Sequence, residues 1–376
     1  MCRLFAMTSA EPLSPMRAIH ALNVMKEGHD GSGVGLYLSG LSGPFAENPD
    51  YPVLSGIFTE QGLARLDAIM SGLGFLTKYS LAVTPRHKPP VGTPLRGTYL
   101  ARVYQPPAGW AGLSAEEREV QLVSTRVAIR EEGQKTGDMM VFSFWPDVVM
   151  IKEVGDPIEI ADYLGLDRPE LAARRILAQG RQNTNYAINL YACHPFFIQG
   201  IATMTNGENT AFVPIREYLQ SRRIPGYMGY QSDSEVFTHI MHFSHYKLKL
   251  PLVAYKHVIT PLSEAELAEH PDRALLTRIK TVCRKMIIDG PNCVIGCLPD
   301  GTMFLVQDRK KLRPGVVGGR PGVFAFSSEI CGLNAAIPDR DPSRDFQPMY
   351  LDTAYVRPDC REVTLCSQNQ QLPPQH

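Results

Sequence analysis

The chain opens with Met1-Cys2-Arg3-Leu4-Phe5-Ala6-Met7, an apolar stretch that predicts a short strand with a cysteine at its start. A small second residue favours removal of the initiator methionine, which would leave the Cys2 thiol and a free α-amine on one residue. An α-amine has a pKa of about 7.7 to 8.0, which suits a general base at neutral pH. The stretch therefore indicates a nucleophile that carries its own base. The alternative is that Cys2 is an ordinary residue of an N-terminal strand.

The composition is that of a neutral globular chain. Its 376 residues suffice for two domains or for one large layered α/β unit. Lys and Arg total 38, as do Asp and Glu, so bulk charge favours neither nucleic acid nor an anionic membrane as a partner. A small substrate is expected. No apolar run approaches the roughly 18 residues of a membrane-spanning helix, and the N-terminus lacks the layout of a signal peptide, so we expect a cytoplasmic protein.

The eight cysteines predict free thiols. They lie at positions 2, 193, 283, 293, 297, 331, 360 and 366, without the dense spacing of a disulfide-stabilised scaffold. Cys293 and Cys297 are close enough in sequence to suggest zinc binding, but no second pair or histidine cluster completes such a site. A strand would place both on one buried face, so we predict no metal site.

The first predicted elements are a strand, a helix and a second strand. Ser14-Pro15 predicts the helix start, and the glycine-rich residues 28–33 turn the chain into the apolar strand 34–38. From about residue 41 to 179 the sequence becomes proline-rich, and we interpret this span as a large insertion. Helical patterns within it cover residues 59–76 and 161–178.

The remainder of the chain favours an α+β layered domain over a parallel doubly wound one, because strands connected by hairpins flank clustered helices. Pro299-Asp300-Gly301 predicts a hairpin turn. Strands are predicted at 187–192, 197–203, 253–259, 293–298, 302–307 and 323–327, and helices at 213–222, 234–245 and 263–285. The polar C-terminal tail, residues 357–376, is predicted to be disordered.

Three polar segments offer the groups that an amide-transferring site on Cys2 requires. Arg181 follows a predicted helix end, and its guanidinium can hold a carboxylate through two hydrogen bonds. Asn206-Gly207 pairs a side-chain amide with a backbone N–H that glycine leaves open to a developing negative charge. Asp233 offers an anion for an ammonium group. Each also has a simpler reading, as a surface arginine, a turn and a helix cap respectively.

Six segments in the same order give the chain a resemblance to a known family. The segments are Met1-Cys2, Asp30-Gly31-Ser32-Gly33, Arg181 to Asn185, His194-Pro195-Phe196 with Asn206-Gly207-Glu208-Asn209-Thr210, Ser232-Asp233-Ser234-Glu235, and Asp289-Gly290-Pro291 with Asp308-Arg309-Lys310-Lys311-Leu312-Arg313-Pro314. From Met1 to about Pro314 the chain resembles the class II glutamine amidotransferases, which are N-terminal nucleophile hydrolases, and most closely the amidotransferase domain of glutamate synthase. It departs from the family pattern at Arg3, Gln182 and Thr205, where glycine, an aromatic residue and histidine are usual.

The resemblance implies a fold and a site. The fold is a four-layer αββα arrangement over residues 1–356, with two stacked, mainly antiparallel sheets between helical layers. The implied catalytic residues are Cys2, Asn206 and Gly207, and the implied substrate-binding residues are Arg181, Thr184 and Asp233. The thiol would attack the side-chain amide of glutamine, the Asn-Gly pair would form the oxyanion hole, and the arginine and aspartate would hold the two charged groups of the amino acid.

The implied function is a glutaminase subunit that passes ammonia to a partner synthase. The chain shows no flavin-binding barrel and no complete dinucleotide fingerprint, so no cofactor is expected in it. By resemblance, the partner would be a flavin-containing glutamate synthase subunit that holds FMN. The two would form a hetero-oligomer, which could include a further, tunnel-forming subunit. Alternatives are a subunit of an N-methylglutamate-type synthase, a stand-alone amidohydrolase of the same fold, and a non-catalytic scaffold subunit.

Overall fold

The computed structural model describes residues 2–25, 30–83, 85–182 and 188–372. Their strands are β1 (Arg3–Leu13), β2 (Val34–Leu41), β3 (Pro52–Phe58), β4 (Leu76–Val83), β5 (Thr98–Gln105), β6 (Met139–Pro146), β7 (Val148–Glu153), β8 (Ala173–Gly180), β9 (Phe196–Ile198), β10 (Ile201–Gly207), β11 (Asn292–Cys297), β12 (Met303–Gln307), β13 (Val316–Arg320), β14 (Val323–Ser327), β15 (Thr353–Val356) and β16 (Val363–Cys366). Their α-helices are α1 (Met16–Val24), α2 (Glu60–Gly72), α3 (Ala115–Thr136), α4 (Pro157–Leu164), α5 (Phe212–Ser221), α6 (Glu235–His242), α7 (Tyr255–Ile259), α8 (Glu264–Glu269), α9 (Arg273–Val282) and α10 (Ile330–Ala336). None of these helices is both long enough and apolar enough to cross a membrane.

Two six-stranded antiparallel sheets form the centre of the molecule. The first has the strand order β13-β14-β1-β8-β2-β7, and the second has the order β16-β15-β12-β11-β10-β9. Because β1 contacts β10 and β11, the two sheets are stacked face to face. Helices α1 and α10 pack on the first sheet, and α6 packs on the second with α5 beside it. The predicted four-layer αββα fold is therefore confirmed.

The opening stretch of the sequence becomes the buried strand β1. Its residues Leu4 to Met7 have no exposed surface, because β14 and β8 flank the strand and α1 packs against it. A continuous apolar run is what a strand buried on both faces requires. Cys2 consequently lies at the end of a strand inside the first sheet.

A third sheet, with the strand order β4-β5-β3-β6, forms an added layer together with α2 and α3, within residues 52–146. The sequence predicted a longer insertion, residues 41–179, but β7 and β8 pair with strands of the first sheet. The helix predicted near 161–178 is instead the short α4 followed by β8. Residues Ile176 to Ala178 are fully buried, and a short buried apolar run does not distinguish a strand from a helix by its periodicity.

Other predicted elements also differ in the structure. The strand predicted at 253–259 contains helix α7, another short segment whose residues are all buried, including Lys256 and His257. The helix predicted at 263–285 is divided into α8 and α9 at Pro271, because a proline disfavours helical geometry in the residue before it. Of the strand predicted at 187–192, residue 187 lies outside the described residues and Leu190–Ala192 forms a 3-10 turn. The β11–β12 hairpin is confirmed.

The C-terminal tail also differs from the prediction of disorder. Strand β16 pairs with β15 at the edge of the second sheet. The buried ammonium of Lys256 donates hydrogen bonds of 2.9 Å to the carbonyl oxygens of Cys366 and Ser367. These contacts depend on a lysine more than 100 residues earlier in the chain, so local sequence patterns could not indicate them.

Candidate active site

A pocket of about 200 Å³ brings together most of the predicted site residues. Those that line it are Cys2, Arg181, Asn206, Gly207 and Asp233. Thr184, the sixth predicted residue, lies outside the described residues. The remaining lining residues are Gln179, Gln182, His194, Thr205, Glu208, Ser232, Ser234 and Arg313.

Strand register explains why residues so far apart in sequence share this pocket. Arg3 on β1 and Val34 on β2 both pair with Gly180 at the end of β8, so Arg181 leaves the sheet beside Cys2. The N–H of Arg181 donates a 2.7 Å hydrogen bond to the carbonyl oxygen of Gly33. The first sheet thus supplies both the thiol and the guanidinium.

The thiol of Cys2 is held against the chain that follows β8. Its Sγ accepts a hydrogen bond from the N–H of Gln182 at 3.4 Å and lies 3.8 Å from the carbonyl oxygen of the same residue. Burial raises the pKa of the Cys2 thiol, although the Gln182 N–H, the side chain of Gln179 and the charge of Arg181 act in the opposite direction. A neutral thiol at this position requires a base before it can act as a nucleophile.

Asn206 and Gly207 end strand β10 beside the thiol. The Asn206 side-chain nitrogen, which carries two hydrogens, donates a 3.1 Å hydrogen bond to the backbone oxygen of Cys2. A Cβ at Gly207 would lie 2.6 Å from the carbonyl oxygen of Pro291, so a larger residue would displace the neighbouring chain. Asn206 and Gly207 therefore line the pocket next to Cys2, as the sequence predicted, and each carries an N–H group that can donate a hydrogen bond.

Asp233 stands on the segment that precedes α6. Its Oδ2 accepts a 3.0 Å hydrogen bond from the N–H of Asn209. Burial raises the pKa of Asp233, while hydrogen bonds from Asn209, Ser232 and Ser234 lower it. The N-cap position of α6 is occupied by Ser234, and no side-chain hydrogen bond caps this helix. The reading of Asp233 as a helix cap is therefore wrong.

His194 and Gln179 were not assigned a role from the sequence, although both line the pocket. The Gln179 side-chain oxygen accepts a 2.7 Å hydrogen bond from the N–H of His194. The N–H of Thr205 donates to His194 Nδ1 at 3.1 Å, so Nδ1 is unprotonated and Nε2 carries the proton. Burial and the charges of Arg181 and Lys152 hold the pKa of His194 well below its ordinary value. His194 is thus a neutral hydrogen-bonding residue, and its place as the first residue of the motif 194–196 was the available signal.

The glycine-rich segment after α1 allows a close approach of two chains. A Cβ at Gly33 would lie 2.1 Å from Cys193 Sγ, and one at Gly35 would lie 1.7 Å from the carbonyl oxygen of His194. The Ser32 hydroxyl donates a 3.3 Å hydrogen bond to the carbonyl oxygen of Arg181. Because residues 33 and 35 are glycines, the backbone of β2 and the segment before it can pack closely against Cys193 and His194.

Arg3, which departs from the family pattern, extends away from the thiol. Its Nη1 donates a 3.2 Å hydrogen bond to the carbonyl oxygen of Leu22 in the last turn of α1. Beside Cys2 and Asn206 lies a second cavity of about 510 Å³, bounded by residues 314–316 and 328–331. The thiol therefore borders a small polar pocket on one side and a larger cavity on the other.

Cys293 and Cys297 are interior residues of strand β11. Burial raises the pKa of each thiol to about 12. Over the part of the chain that the structure describes, no cluster of three or more His, Cys, Asp or Glu side chains is arranged to hold a metal ion.

No family model matches the chain. The chain is 25% identical to an uncharacterised protein of Archaeoglobus fulgidus over 382 residues, which cover 98% of this chain and 95% of that protein. It is 28% identical over 200 residues to a Methanothermobacter thermautotrophicus protein named "Putative glutamine amidotransferase", with 52% of this chain and 55% of that protein covered.

Two solved structures are also similar in fold. They are the B. subtilis glutamine phosphoribosylpyrophosphate amidotransferase complexed with ADP and GMP, with a TM-score of 0.46, and an allosteric regulatory enzyme of purine biosynthesis, with a TM-score of 0.49. Each is 11% identical, and each similarity covers 98% of this chain. The chain spans 50% of the length of each of these two proteins.

Proposed function

We propose that this chain is a glutamine amidotransferase subunit, which hydrolyses L-glutamine to glutamate and ammonia through a thioester on Cys2. The observation that carries the proposal is the 200 Å³ pocket, where a thiol, a guanidinium, a carboxylate and an Asn-Gly pair meet. The name of the Methanothermobacter thermautotrophicus relative supports the same reaction class.

Glutamine would be oriented by both of its charged groups. Arg181 would pair with the α-carboxylate, since a guanidinium binds a carboxylate through two parallel hydrogen bonds. Asp233 would pair with the α-ammonium group. With these two groups held on the wall of one small pocket, the side-chain amide is directed toward Cys2. Such orientation lowers the entropic part of the reaction barrier.

The reaction would begin with transfer of the thiol proton to the α-amine of Cys2, after removal of Met1. Sulfur then bonds to the amide carbon, and the carbonyl oxygen becomes an oxyanion that accepts hydrogen bonds from Asn206 and the N–H of Gly207. Collapse of this intermediate breaks the carbon–nitrogen bond, and the amine returns the proton to the departing ammonia. Water then hydrolyses the thioester, releasing glutamate and restoring the thiol.

The ammonia would pass to a partner synthase. In water at neutral pH most free ammonia is protonated and loses its nucleophilicity, so direct delivery to an acceptor site is an advantage. The partner proposed here is a glutamate synthase-type flavoprotein that binds 2-oxoglutarate, and the FMN of such an assembly would belong to that partner. A subunit of an N-methylglutamate-type synthase would use the same glutaminase chemistry.

Measurement of ammonia and glutamate release by the purified protein tests the glutaminase reaction. Wild-type protein should convert glutamine, and Cys2→Ala should be inactive with an unchanged thermal midpoint. A screen of asparagine and γ-glutamyl amides distinguishes a glutaminase from an amidohydrolase of other specificity. Failure to hydrolyse glutamine, alone and with the co-purifying partner, would leave the scaffold alternative.

Co-purification of the native protein tests the partner. We expect a flavoprotein to be retained with the chain and to increase its glutaminase rate. Purification as a fully active, solitary glutaminase would contradict the synthase-subunit proposal while leaving the reaction itself intact.

A further inference from the structure

Helix α3 of the added layer carries two buried arginines that contact segments outside this layer. Arg126 and Arg130 are one helical turn apart and are 7% and 6% exposed, so they share one buried face of the helix. Arg126 Nη1 donates a 3.2 Å hydrogen bond to the carbonyl oxygen of Phe197 on β9. Arg130 makes a different contact, with its guanidinium carbon 4.1 Å from the centroid of the Tyr191 ring.

The guanidinium of Arg130 also lies against Gly229. A Cβ built on Gly229 would be 2.6 Å from Nη2 and 3.2 Å from the guanidinium carbon, so no side chain fits between them. Arg130 is therefore held between the Tyr191 ring and the Gly229 backbone. The contact joins the added layer to the segment that leads into α6.

That segment contains a left-handed turn just before the predicted ammonium-binding residue. Gly229 has φ +96° and Tyr230 has φ +48°, and the second value is unfavourable for a residue with a side chain. Such a conformation persists only where the surroundings hold it. Three residues after Tyr230 the chain reaches Asp233, which lines the pocket. The turn therefore lies three residues before Asp233, in the segment that carries this carboxylate into the pocket.

A contribution to the stability of the fold does not by itself explain why Arg130 is buried. Within the part of the chain that the structure describes, its buried Nε and Nη2 atoms have no hydrogen-bond partner, and neither does Oε2 of the neighbouring buried Glu235. Among the described residues no ion pair within 4.0 Å involves Arg130. A buried guanidinium without a direct ion pair loses its hydration, and attraction to the Glu235 carboxylate, which lowers the pKa of Glu235 against the effect of burial, offsets part of that loss.

We infer that Arg130 is a positioning residue for substrate recognition, and that its stack between Tyr191 and Gly229 fixes the turn that places Asp233 against the substrate ammonium group. The inference rests on the proposed binding of glutamine. It extends that proposal to the added layer, because α3 then determines how well the pocket selects an amino acid over an amide that lacks the α-ammonium group.

The test compares glutamine with 4-carbamoylbutanoate, which is glutamine without its α-amino group. In Arg130→Met, we expect kcat/KM for glutamine to fall about 10- to 100-fold, because a displacement of about 1 Å at a recognition group can cost on the order of 100-fold. The fall should come mainly from KM, and kcat/KM for 4-carbamoylbutanoate should be unchanged. Arg126→Met removes a buried arginine from the same helix face without touching the stack, and it should leave the ratio of the two substrates unchanged.

A second pair of variants covers the case in which Arg130→Met does not fold. Tyr191→Leu removes the ring that supports the guanidinium and should lower the selectivity for glutamine in the same way, whereas Tyr191→Phe keeps the ring and should retain it. An equal loss for both substrates would overturn the inference, since that is the result of general damage to the site.

Hydrogen exchange separates this inference from the proposed function. Amides of residues 226–235 should exchange faster in Arg130→Met or Tyr191→Leu than in wild type, and unchanged exchange would overturn the positioning role whatever the substrate. Wild-type protein that hydrolyses neither amide, with the exchange difference present, would instead contradict the proposed function.

Discussion

Asn206 links the nucleophile to the predicted oxyanion hole, because its side-chain amide already donates to the backbone oxygen of Cys2. Removing one oxyanion donor typically lowers kcat by about 100- to 1,000-fold. We expect Asn206→Ala to show a loss of this size in glutamine hydrolysis. Asn369→Ala, at an exposed position of the tail, is the matched control. A near-normal rate for Asn206→Ala would show that the amide has no part in the reaction.

The α-amine of Cys2 is predicted to act as the base, since burial raises the pKa of the thiol and opposes spontaneous ionisation. Insertion of a lysine between Met1 and Cys2 would keep the methionine and move the amine away from the thiol. This variant should release no ammonia and keep its thermal midpoint, with intact mass confirming its N-terminus. In wild type, kcat/KM should rise with pH through about 7.7 to 8.0, the pKa range of an α-amine. Activity in the lysine insertion would exclude this base.

Lys152 provides a pH-dependent test of the buried region next to His194. Burial lowers the pKa of Lys152 from 10.5 to about 8. Between these two values the unfolded chain binds more protons than the folded chain, so this contribution to stability rises with pH and is lost as the pH falls through 8. Relative to Lys152→Met, wild type should gain up to about 3 kcal/mol across this range, since one pKa unit corresponds to about 1.4 kcal/mol. Parallel stability curves from urea unfolding would contradict the shift.

Strand β2 shows how a single element depends on close backbone contact. A Cβ at Gly35 would lie 1.7 Å from the carbonyl oxygen of His194, which is backbone and cannot rotate away. Gly35→Ala should therefore destabilise the fold by about 1 to 3 kcal/mol or more, as expected for overpacking. Gly72→Ala, at the end of α2 with open space around it, should not destabilise. Equal urea midpoints for the two variants would show that β2 and the backbone at His194 can move apart at little cost.

At the scale of the whole molecule, the C-terminal tail supplies β16, the edge strand of the second sheet. Truncation after residue 360 removes β16 and both carbonyl oxygens that accept hydrogen bonds from the buried ammonium of Lys256. The loss should include about 2 to 4 kcal/mol from an unsatisfied buried charge. Lys256→Met removes that charge, so truncation should cost less in the Lys256→Met background. The same cost of truncation in both backgrounds, measured by urea unfolding, would contradict this role of the tail.

The layers of the molecule were predictable where the sequence pattern was long or its chemistry was specific. The apolar run 4–7 indicated a strand, and Pro299-Asp300-Gly301 indicated the hairpin between β11 and β12. The pattern failed at β8 and α7, since both are short buried runs in which strand and helix look alike. The residues between β6 and β8 were assigned to the insertion because pairing with β1 and β2 is not a local property.

From the sequence by itself five residues of the pocket could be named, because the thiol, Arg181, Asn206-Gly207 and Asp233 are chemical types that few other reactions require together. Their roles stay predictions that the variants above test. Only the tertiary structure decided the neutral state of His194, the limits of the added layer and the stack of Arg130 between Tyr191 and Gly229. Burial and contacts between distant segments produce each of these, and neither is contained in a local stretch of sequence.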